Sequence, residues 1–171
     1  MIEIAHSGDD SDTRLAAHLP DEEATAAAGA ALAPALHPGL VIYLTGDLGA
    51  GKTTLVRGLL RALGHTGKVK SPTYTLIEPY AVSRLNLYHF DFYRFAVPEE
   101  YLEAGLDEYF LGDGVCLVEW PDRAQPFVAK ADVVARLAVD GSGRRLEVEA
   151  LTEAGRSCTR TMKNQLQSMA Q

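Results

Sequence analysis

Two uninterrupted apolar runs, residues 40–44 and 115–118, stand out in the pattern of hydrophobic and polar positions. Runs without polar alternation are typical of strands that are buried on both faces of a parallel sheet. The first run leads into a glycine-rich loop, and residues 52–63 after it have the composition of a helix, with Gly64 just past its end. The pattern therefore predicts a strand–loop–helix unit in an α/β fold.

Flanking segments add further predicted elements. Residues 13–19 are predicted as a short strand, and residues 20–36 as an alanine-rich helix whose proline and acids suit a first helical turn. Two β-hairpins are predicted, one from residues 74–80 with 85–92 and the other from residues 133–139 with 145–151, around Gly141-Ser142-Gly143.

These elements predict a three-layer α/β domain with a mainly parallel central sheet and added hairpins, over residues 13–155. Residues 1–12 are expected to be a flexible N-terminal extension, and residues 156–171 a polar, mobile C-terminal tail.

Composition narrows the class of protein. The chain has 171 residues, 47% hydrophobic and 23% charged, with a formal net charge of −7, which argues against a broad nucleic-acid-binding face. It shows neither a signal-peptide pattern nor an apolar stretch of about 20 residues, so we expect a cytoplasmic protein that does not enter a membrane. Cys116 and Cys158 lack metal-ligand spacing, and Cys116 is expected in the core.

The loop between the first run and its helix reads GDLGAGKT, from Gly46 to Thr53. Glycines at this spacing let the backbone curl so that N–H groups point at phosphate oxygens, beside the positive end of a helix. Lys52 can then reach the β- and γ-phosphates, and the Thr53 hydroxyl can bind Mg²⁺. The motif predicts a P-loop that binds a nucleoside triphosphate with Mg²⁺, either ATP or GTP.

Two carboxylates are candidates to complete such a site. Glu119 ends the second apolar run, where an acid that holds Mg²⁺ is expected. Asp91 lies in an apolar and aromatic stretch, where an unused carboxylate is costly to bury. It could orient water, accept its proton or hold the metal's water shell, while a structural ion pair with Arg94 remains the less favoured alternative.

Other candidates are less specific. Ser71 and Thr73 stand where a switch loop would sense the γ-phosphate, although a plain turn fits as well. Trp120, the single tryptophan, could face the nucleotide, a partner or the core, and His89 is expected to be packed or hydrogen-bonded. Three arginines could contact a transition state or be solvated: Arg57, Arg94 and Arg123.

Four ordered segments, GDLGAGKTT at 46–54, SPTYTL at 71–76, HFDFYR at 89–94 and VEWP at 118–121, resemble the bacterial TsaE (YjeE) family. The likeness extends over roughly residues 13–152. It implies an ATPase that acts on the TsaD–TsaB complex, which forms threonylcarbamoyladenosine in tRNAs that read codons beginning with A. Hydrolysis would be weak without that complex, and contact with tRNA would be indirect.

The resemblance also implies roles for individual residues. Asp91 and Lys52 would be catalytic, Thr53 and Glu119 would hold Mg²⁺, and the switch or partner-linked positions would be Ser71, Thr73, Arg94 and Trp120. Glu22 and Gly143 would approach the base or ribose. The expected ATP-binding residues are Glu22, Asp47, Leu48, Gly49, Ala50, Gly51, Lys52, Thr53, Thr54 and Gly143.

Three other functions stay open at this stage. A small-molecule kinase would need an arginine-rich lid, and arginines are not clustered after the loop. A GTP-driven switch would need an Asn/Thr-Lys-x-Asp segment, which the sequence does not contain. A nucleotide-dependent binding module would tolerate loss of hydrolysis, so the test that separates it is a variant at Asp91.

Overall fold

A computed structural model describes residues 1–5 and 13–171, and its strands form a single mixed sheet. Within that part of the chain the sheet has eight strands, in the order β1-β2-β8-β7-β3-β6-β5-β4. The strands are β1 (Glu3–Ala5), β2 (Arg14–Leu19), β3 (Val41–Thr45), β4 (Ile77–Val82), β5 (Leu85–Asp91), β6 (Val115–Glu119), β7 (Val133–Asp140) and β8 (Gly143–Ala150).

The centre of the sheet is parallel and its margins are antiparallel. Strand β3 pairs in parallel with β6 and β7, and β5 pairs in parallel with β6. The pairs β1–β2, β2–β8, β7–β8 and β4–β5 are antiparallel. The predicted parallel centre with added hairpins is therefore confirmed, while the sheet as a whole is mixed because the hairpins and the N-terminal strands join it in antiparallel pairs.

Three long helices cover one face of the sheet: α1 (Glu22–Leu32), α2 (Lys52–Ala62) and α5 (Glu153–Met169). Helix α1 begins where the Asp21 carboxylate accepts a hydrogen bond from Ala24 N at 2.8 Å, as expected for an N-cap. Alternate residues of the central strands, such as Ile42 and Leu117, are fully buried beneath these helices.

The opposite face carries an aromatic core under the short helices α3 (Glu99–Glu103) and α4 (Asp107–Leu111). Phe90, Phe92 and Tyr101 are among the largest fully buried side chains, and the Phe92 ring stacks on Phe95 with centroids 5.0 Å apart. Helices on both faces confirm the three predicted layers. Cys116 is buried in this core, as predicted, and burial raises its thiol pKa to about 12.

Both predicted extensions need correction. Residues 3–5 form β1, which pairs with β2, while residues 6–12 lie outside the described residues. The predicted mobile tail is instead helix α5, whose N-cap Thr152 accepts from Gly155 N at 3.1 Å. Its buried residues Cys158, Met162 and Leu166 recur every four positions and join the core beneath α1. None of the helices in the described ranges is long and apolar enough to cross a bilayer.

Candidate functional site

The glycine-rich loop connects β3 to α2 and curls as its sequence predicts. Gly46 has φ +147°, and a Cβ there would lie only 2.4 Å from the Leu137 carbonyl oxygen. Gly51, with φ +105°, is the N-cap of α2, and no described side chain caps that helix end. The first N–H groups of α2 therefore stay available to an anion.

Lys52 begins α2 and folds back across its own loop. Its buried ammonium donates to the Gly46 carbonyl and, at 3.4 Å, to that of Asp47. Burial lowers the pKa of Lys52, while the charges of Glu119 and Asp91 act in the opposite direction. The hydrogen bonds of the ammonium thus go to loop carbonyls, which an anionic ligand can replace.

Glu119 lies at the end of β6, beside Leu44 of β3 and Asp91 of β5. The carboxyl ends of these parallel strands therefore bring both predicted acids to one edge of the sheet. Glu119 is 2% exposed, and its Oε2 accepts a hydrogen bond from His89 Nε2 at 2.7 Å. The prediction of a hydrogen-bonded His89 is confirmed, and this contact orients the carboxylate.

Asp91 is buried and accepts hydrogen bonds through both carboxylate oxygens. Oδ2 accepts from Ser71 Oγ at 2.8 Å and from Thr73 Oγ1 at 3.2 Å, and Oδ1 accepts from Tyr93 N at 2.9 Å. The alternative of an ion pair with Arg94 is wrong, because that guanidinium lies over the Tyr74 ring, 3.8 Å from its centroid. The two predicted switch hydroxyls therefore contact the predicted catalytic acid.

The opposite wall comes from the start of α1 and from the β7–β8 hairpin. Glu22 and Gly143 both line the cleft, as expected. Arg144, which the sequence analysis missed, donates from Nε to the Ala50 carbonyl at 3.0 Å and from Nη2 to that of Gly49 at 3.1 Å. No local sequence signal separates Arg144 from Arg145, because the contact joins segments about 95 residues apart.

These walls enclose a cleft of about 640 Å³, within the usual range for a small-molecule site. All the predicted nucleotide and metal residues except Asp47 line it, and the predicted partner-linked Arg94 does not. The lining residues are Asp21, Glu22, Thr25, Leu48, Gly49, Ala50, Gly51, Lys52, Thr53, Thr54, Ser71, Thr73, Asp91, Tyr93, Glu119, Trp120, Ser142, Gly143 and Arg144.

The donor set of the cleft fits Mg²⁺ that arrives with phosphates. Thr53 and Glu119 offer the hydroxyl and carboxylate oxygens that this ion prefers. No cluster of three or more His, Cys, Asp or Glu side chains in the described chain could hold a metal by itself. A polyphosphate beside Glu119 and Asp91 would also need a cation to offset the repulsion between like charges.

Of the remaining predicted residues, Trp120 lines the cleft, whereas Arg57 and Arg123 do not. The Trp120 ring centroid lies 4.6 Å from Lys52 Nζ. Arg57 forms an exposed ion pair with Glu22 at 3.7 Å, and Arg123 lies over Tyr93 and Trp120. Neither arginine lines the cleft as a transition-state contact would.

Comparisons with known proteins agree on one family. The family model described as threonylcarbamoyl adenosine biosynthesis protein TsaE matches residues 19–147. A Haemophilus influenzae protein named tRNA threonylcarbamoyladenosine biosynthesis protein TsaE is 40% identical over 155 residues, covering 88% of this chain and 98% of that protein. A Bacillus subtilis protein of the same name is 55% identical over 83 residues, covering 48% of this chain and 51% of that protein. The crystal structure of Bacillus subtilis YdiB matches with a TM-score of 0.76 at 32% identity, covering 88% of this chain and 95% of that one.

Proposed function

The chain belongs to the TsaE family of tRNA threonylcarbamoyladenosine biosynthesis, and we propose that it is the component of that system that binds and hydrolyses ATP. In this proposal it acts with Mg²⁺ on the TsaD–TsaB transfer complex and meets tRNA only through that complex. The modified tRNAs are those that read codons beginning with A. The proposed localisation is the cytoplasm.

One observation carries the proposal: Lys52, Thr53, Asp91 and Glu119 all line the cleft at the uncapped start of α2. Free N–H groups and an ammonium suit phosphates, a hydroxyl with a carboxylate suits Mg²⁺, and a second carboxylate suits water. This arrangement supports the proposal of a P-loop nucleotide hydrolase. Because the chain belongs to the TsaE family, we infer that ATP hydrolysis would serve tRNA modification.

Each residue then has a distinct task. Lys52 exchanges its loop carbonyls for the β- and γ-phosphates, and His89 holds the Glu119 carboxylate in place. Thr53 and Glu119 would hold Mg²⁺, which when bound would help neutralise the charge of the phosphates. Asp91 orients a water and takes its proton as the water oxygen bonds to the γ-phosphorus and ADP leaves.

The contacts of Asp91 support the expectation that the chain alone would hydrolyse ATP only weakly. Its carboxylate is already occupied by the hydroxyls of Ser71 and Thr73 and by Tyr93 N. These three hydrogen bonds take up most of the roughly four lone-pair positions of a carboxylate, so little room remains for an attacking water. A partner that moves residues 71–73 would free Asp91, so stimulation by the complex is expected.

The test is phosphate release from ATP by the chain alone and with TsaB and TsaD of the same source, with and without tRNA. We expect the complex to raise the rate at least about tenfold, which is a barrier change of about 1.4 kcal/mol. The Lys52→Ala variant, which removes the phosphate-binding ammonium, is the control and should show no stimulated rate. An unchanged rate with partners would overturn the proposal, and a phosphorylated small-molecule acceptor would favour a kinase.

A further inference from the structure

Arg144 at the start of β8 reaches across to the glycine-rich loop and bridges two of its carbonyls. Its Nε donates to the Ala50 carbonyl at 3.0 Å, and its Nη2 donates to the Gly49 carbonyl at 3.1 Å. The remaining nitrogen, Nη1, donates to the carbonyl of Gly143 at 2.9 Å. The guanidinium is therefore fixed to its own strand while it holds two consecutive peptide units of the loop.

These two peptide units carry the N–H groups of Ala50 and Gly51. A trans peptide is planar, so its carbonyl and its N–H point in opposite directions. Because the guanidinium draws the Ala50 carbonyl to one side, the Gly51 N–H is turned to the other side, at the N-cap of α2. The Ala50 N–H donates to the Asp47 carbonyl at 3.1 Å, which closes the turn of the loop. Arg144 therefore fixes the direction of backbone groups at the helix start, where an anion would bind.

The contacts of Arg144 can persist when a ligand enters the cleft, unlike those of Lys52. In the free chain Lys52 donates to the carbonyls of Gly46 and Asp47, and in the proposed function it leaves them for phosphates. Arg144 uses different carbonyls of the same loop, so its hydrogen bonds do not compete with that exchange. Leu48 is 67% exposed, so apolar packing does not hold the tip of the loop. The loop therefore depends on polar contacts for its shape.

The positive charge of Arg144 is directed at the loop. Its side chain is half-buried, and no carboxylate of the described residues forms an ion pair with it. Hydrogen bonds from a charged donor are stronger than those between neutral groups. The next residue, Arg145, is exposed, lies on the other face of β8 and donates to Glu147 at 2.9 Å. Of these two neighbouring arginines, only Arg144 acts on the loop.

We propose that Arg144 is a positioning residue for nucleotide binding, which holds the glycine-rich loop in the curled shape that accepts phosphates. This inference rests on the proposed function, because it assigns a role to a residue of the same cleft. The hydrogen bonds of Arg144 to the loop are the same before and during hydrolysis, so they stabilise the bound substrate and the transition state equally. Loss of such uniform binding raises KM and leaves kcat unchanged.

The experiment measures by calorimetry the affinity of the full chain for ADP and for a non-hydrolysable ATP analogue, both with Mg²⁺. KM and kcat for ATP are then measured with the TsaD–TsaB complex present. Arg144→Ala should weaken both affinities and raise KM at least about tenfold, as expected for the loss of charge-assisted hydrogen bonds, while kcat stays within about twofold. Arg144→Lys, which keeps the charge without the planar fork, should recover part of the lost affinity.

Arg145→Ala is the matched control, and its affinities, KM and kcat should equal those of wild type. A role of Arg144 in overall stability alone would lower the Tm of Arg144→Ala and the fraction of active protein, but not change KM. That result, normal nucleotide affinity of Arg144→Ala, or a lower kcat at unchanged KM would each overturn the inference and leave the proposed function standing. Binding by Arg144→Lys no tighter than by Arg144→Ala would also overturn it, because the donated hydrogen bonds would then not be the cause.

Failure of the proposed function gives a different result, because it is seen in the wild-type chain. If wild type binds neither ADP nor the analogue, the proposed function and the inference are both wrong. If wild type binds the analogue but does not hydrolyse ATP even with the complex, the proposed hydrolysis is wrong. The affinities of Arg144→Ala, Arg144→Lys and Arg145→Ala then decide the inference by themselves.

Discussion

At the scale of single residues, a variant of Asp91 can test whether nucleotide binding and hydrolysis are separable in this cleft. Asp91→Asn is nearly isosteric, and the Ser71 and Thr73 hydroxyls can reorient to accept from the new amide. Stability and ATP affinity should therefore persist, while turnover with the partner complex falls about 10²- to 10⁴-fold, the usual contribution of a general base. ATP titration and single-turnover hydrolysis measure the two effects.

The control for this prediction is Asp113→Asn, which changes an exposed carboxylate outside the cleft and should leave both quantities unchanged. A Asp91→Asn protein that loses ATP binding as well, with a lower Tm, would show that the carboxylate only holds the segment 71–73 in place. Full activity of the variant together with normal tRNA modification would favour a binding module without required hydrolysis.

The site residues that could be predicted are those that belong to a recognisable local sequence pattern. Lys52 and Thr53 follow a glycine pattern, and Glu119 ends a buried strand, so each carried a sequence signal. Arg144 carried no such signal. Its partners Gly49 and Ala50 are distant in the sequence, and the pairing of β8 with β7 brings Arg144 next to them. The sequence also could not predict whether Asp91 forms an ion pair with Arg94, because the answer depends on the stacking of Arg94 on Tyr74 in the folded chain.

At the scale of elements, the contact between α1 and α2 depends on glycines that let two backbones meet. A Cβ at Gly58 of α2 would lie 2.0 Å from the Ala26 carbonyl oxygen of α1. Gly58→Ala should therefore destabilise the fold by about 2 kcal/mol, because overpacking outweighs the better helix propensity of alanine. Thermal unfolding should show a Tm lower by about 4–8 °C.

Gly112→Ala is the matched control for that change. The Cβ of an alanine there meets no heavy atom of the described residues within 4 Å, and φ is −95°. Its stability should stay within about 0.5 kcal/mol of wild type. If Gly58→Ala were equally neutral, the two helices would have to move apart, and the cleft wall that begins at Glu22 would not be fixed by their packing.

The elements that the sequence predicted well are those with a strong local pattern. Strands β3 and β6 have continuous apolar runs, and the β7–β8 hairpin turns at Gly141 with φ +62°, a conformation that favours glycine. Helix α5 was not predicted because its buried apolar residues come only once every four positions in an otherwise polar sequence. Strand order could not be predicted either, since it is set by long-range contacts that no local pattern encodes.

At the scale of the whole molecule, one sheet edge organises the site. The carboxyl ends of β3, β5 and β6 supply the phosphate loop, Asp91 and Glu119, because parallel strands end on the same side. The antiparallel margin on the other side, through β8, supplies Gly143 and Arg144. In the proposed function, the parallel centre of the mixed sheet would carry the chemistry, and its antiparallel margin lines the opposite wall of the cleft.

Whether α5 belongs to the same cooperative unit can be tested with the two buried cysteines. Cys158 lies in α5 and Cys116 in the central strand β6, and burial raises each thiol pKa to about 12. At pH 8 only about one native thiol in 10⁴ would be ionised, so labelling requires opening. In single-cysteine variants made with Cys→Ala, the opening free energies of both sites should agree within about 1 kcal/mol, and both should match the free energy of global unfolding measured with denaturant.

Agreement is expected because Cys158, Met162 and Leu166 share one core with α1 and the sheet. A Cys158 site that opens several kcal/mol below Cys116 would instead show a helix that detaches by itself, and residues 156–171 would behave as the separate tail that their polar sequence predicted.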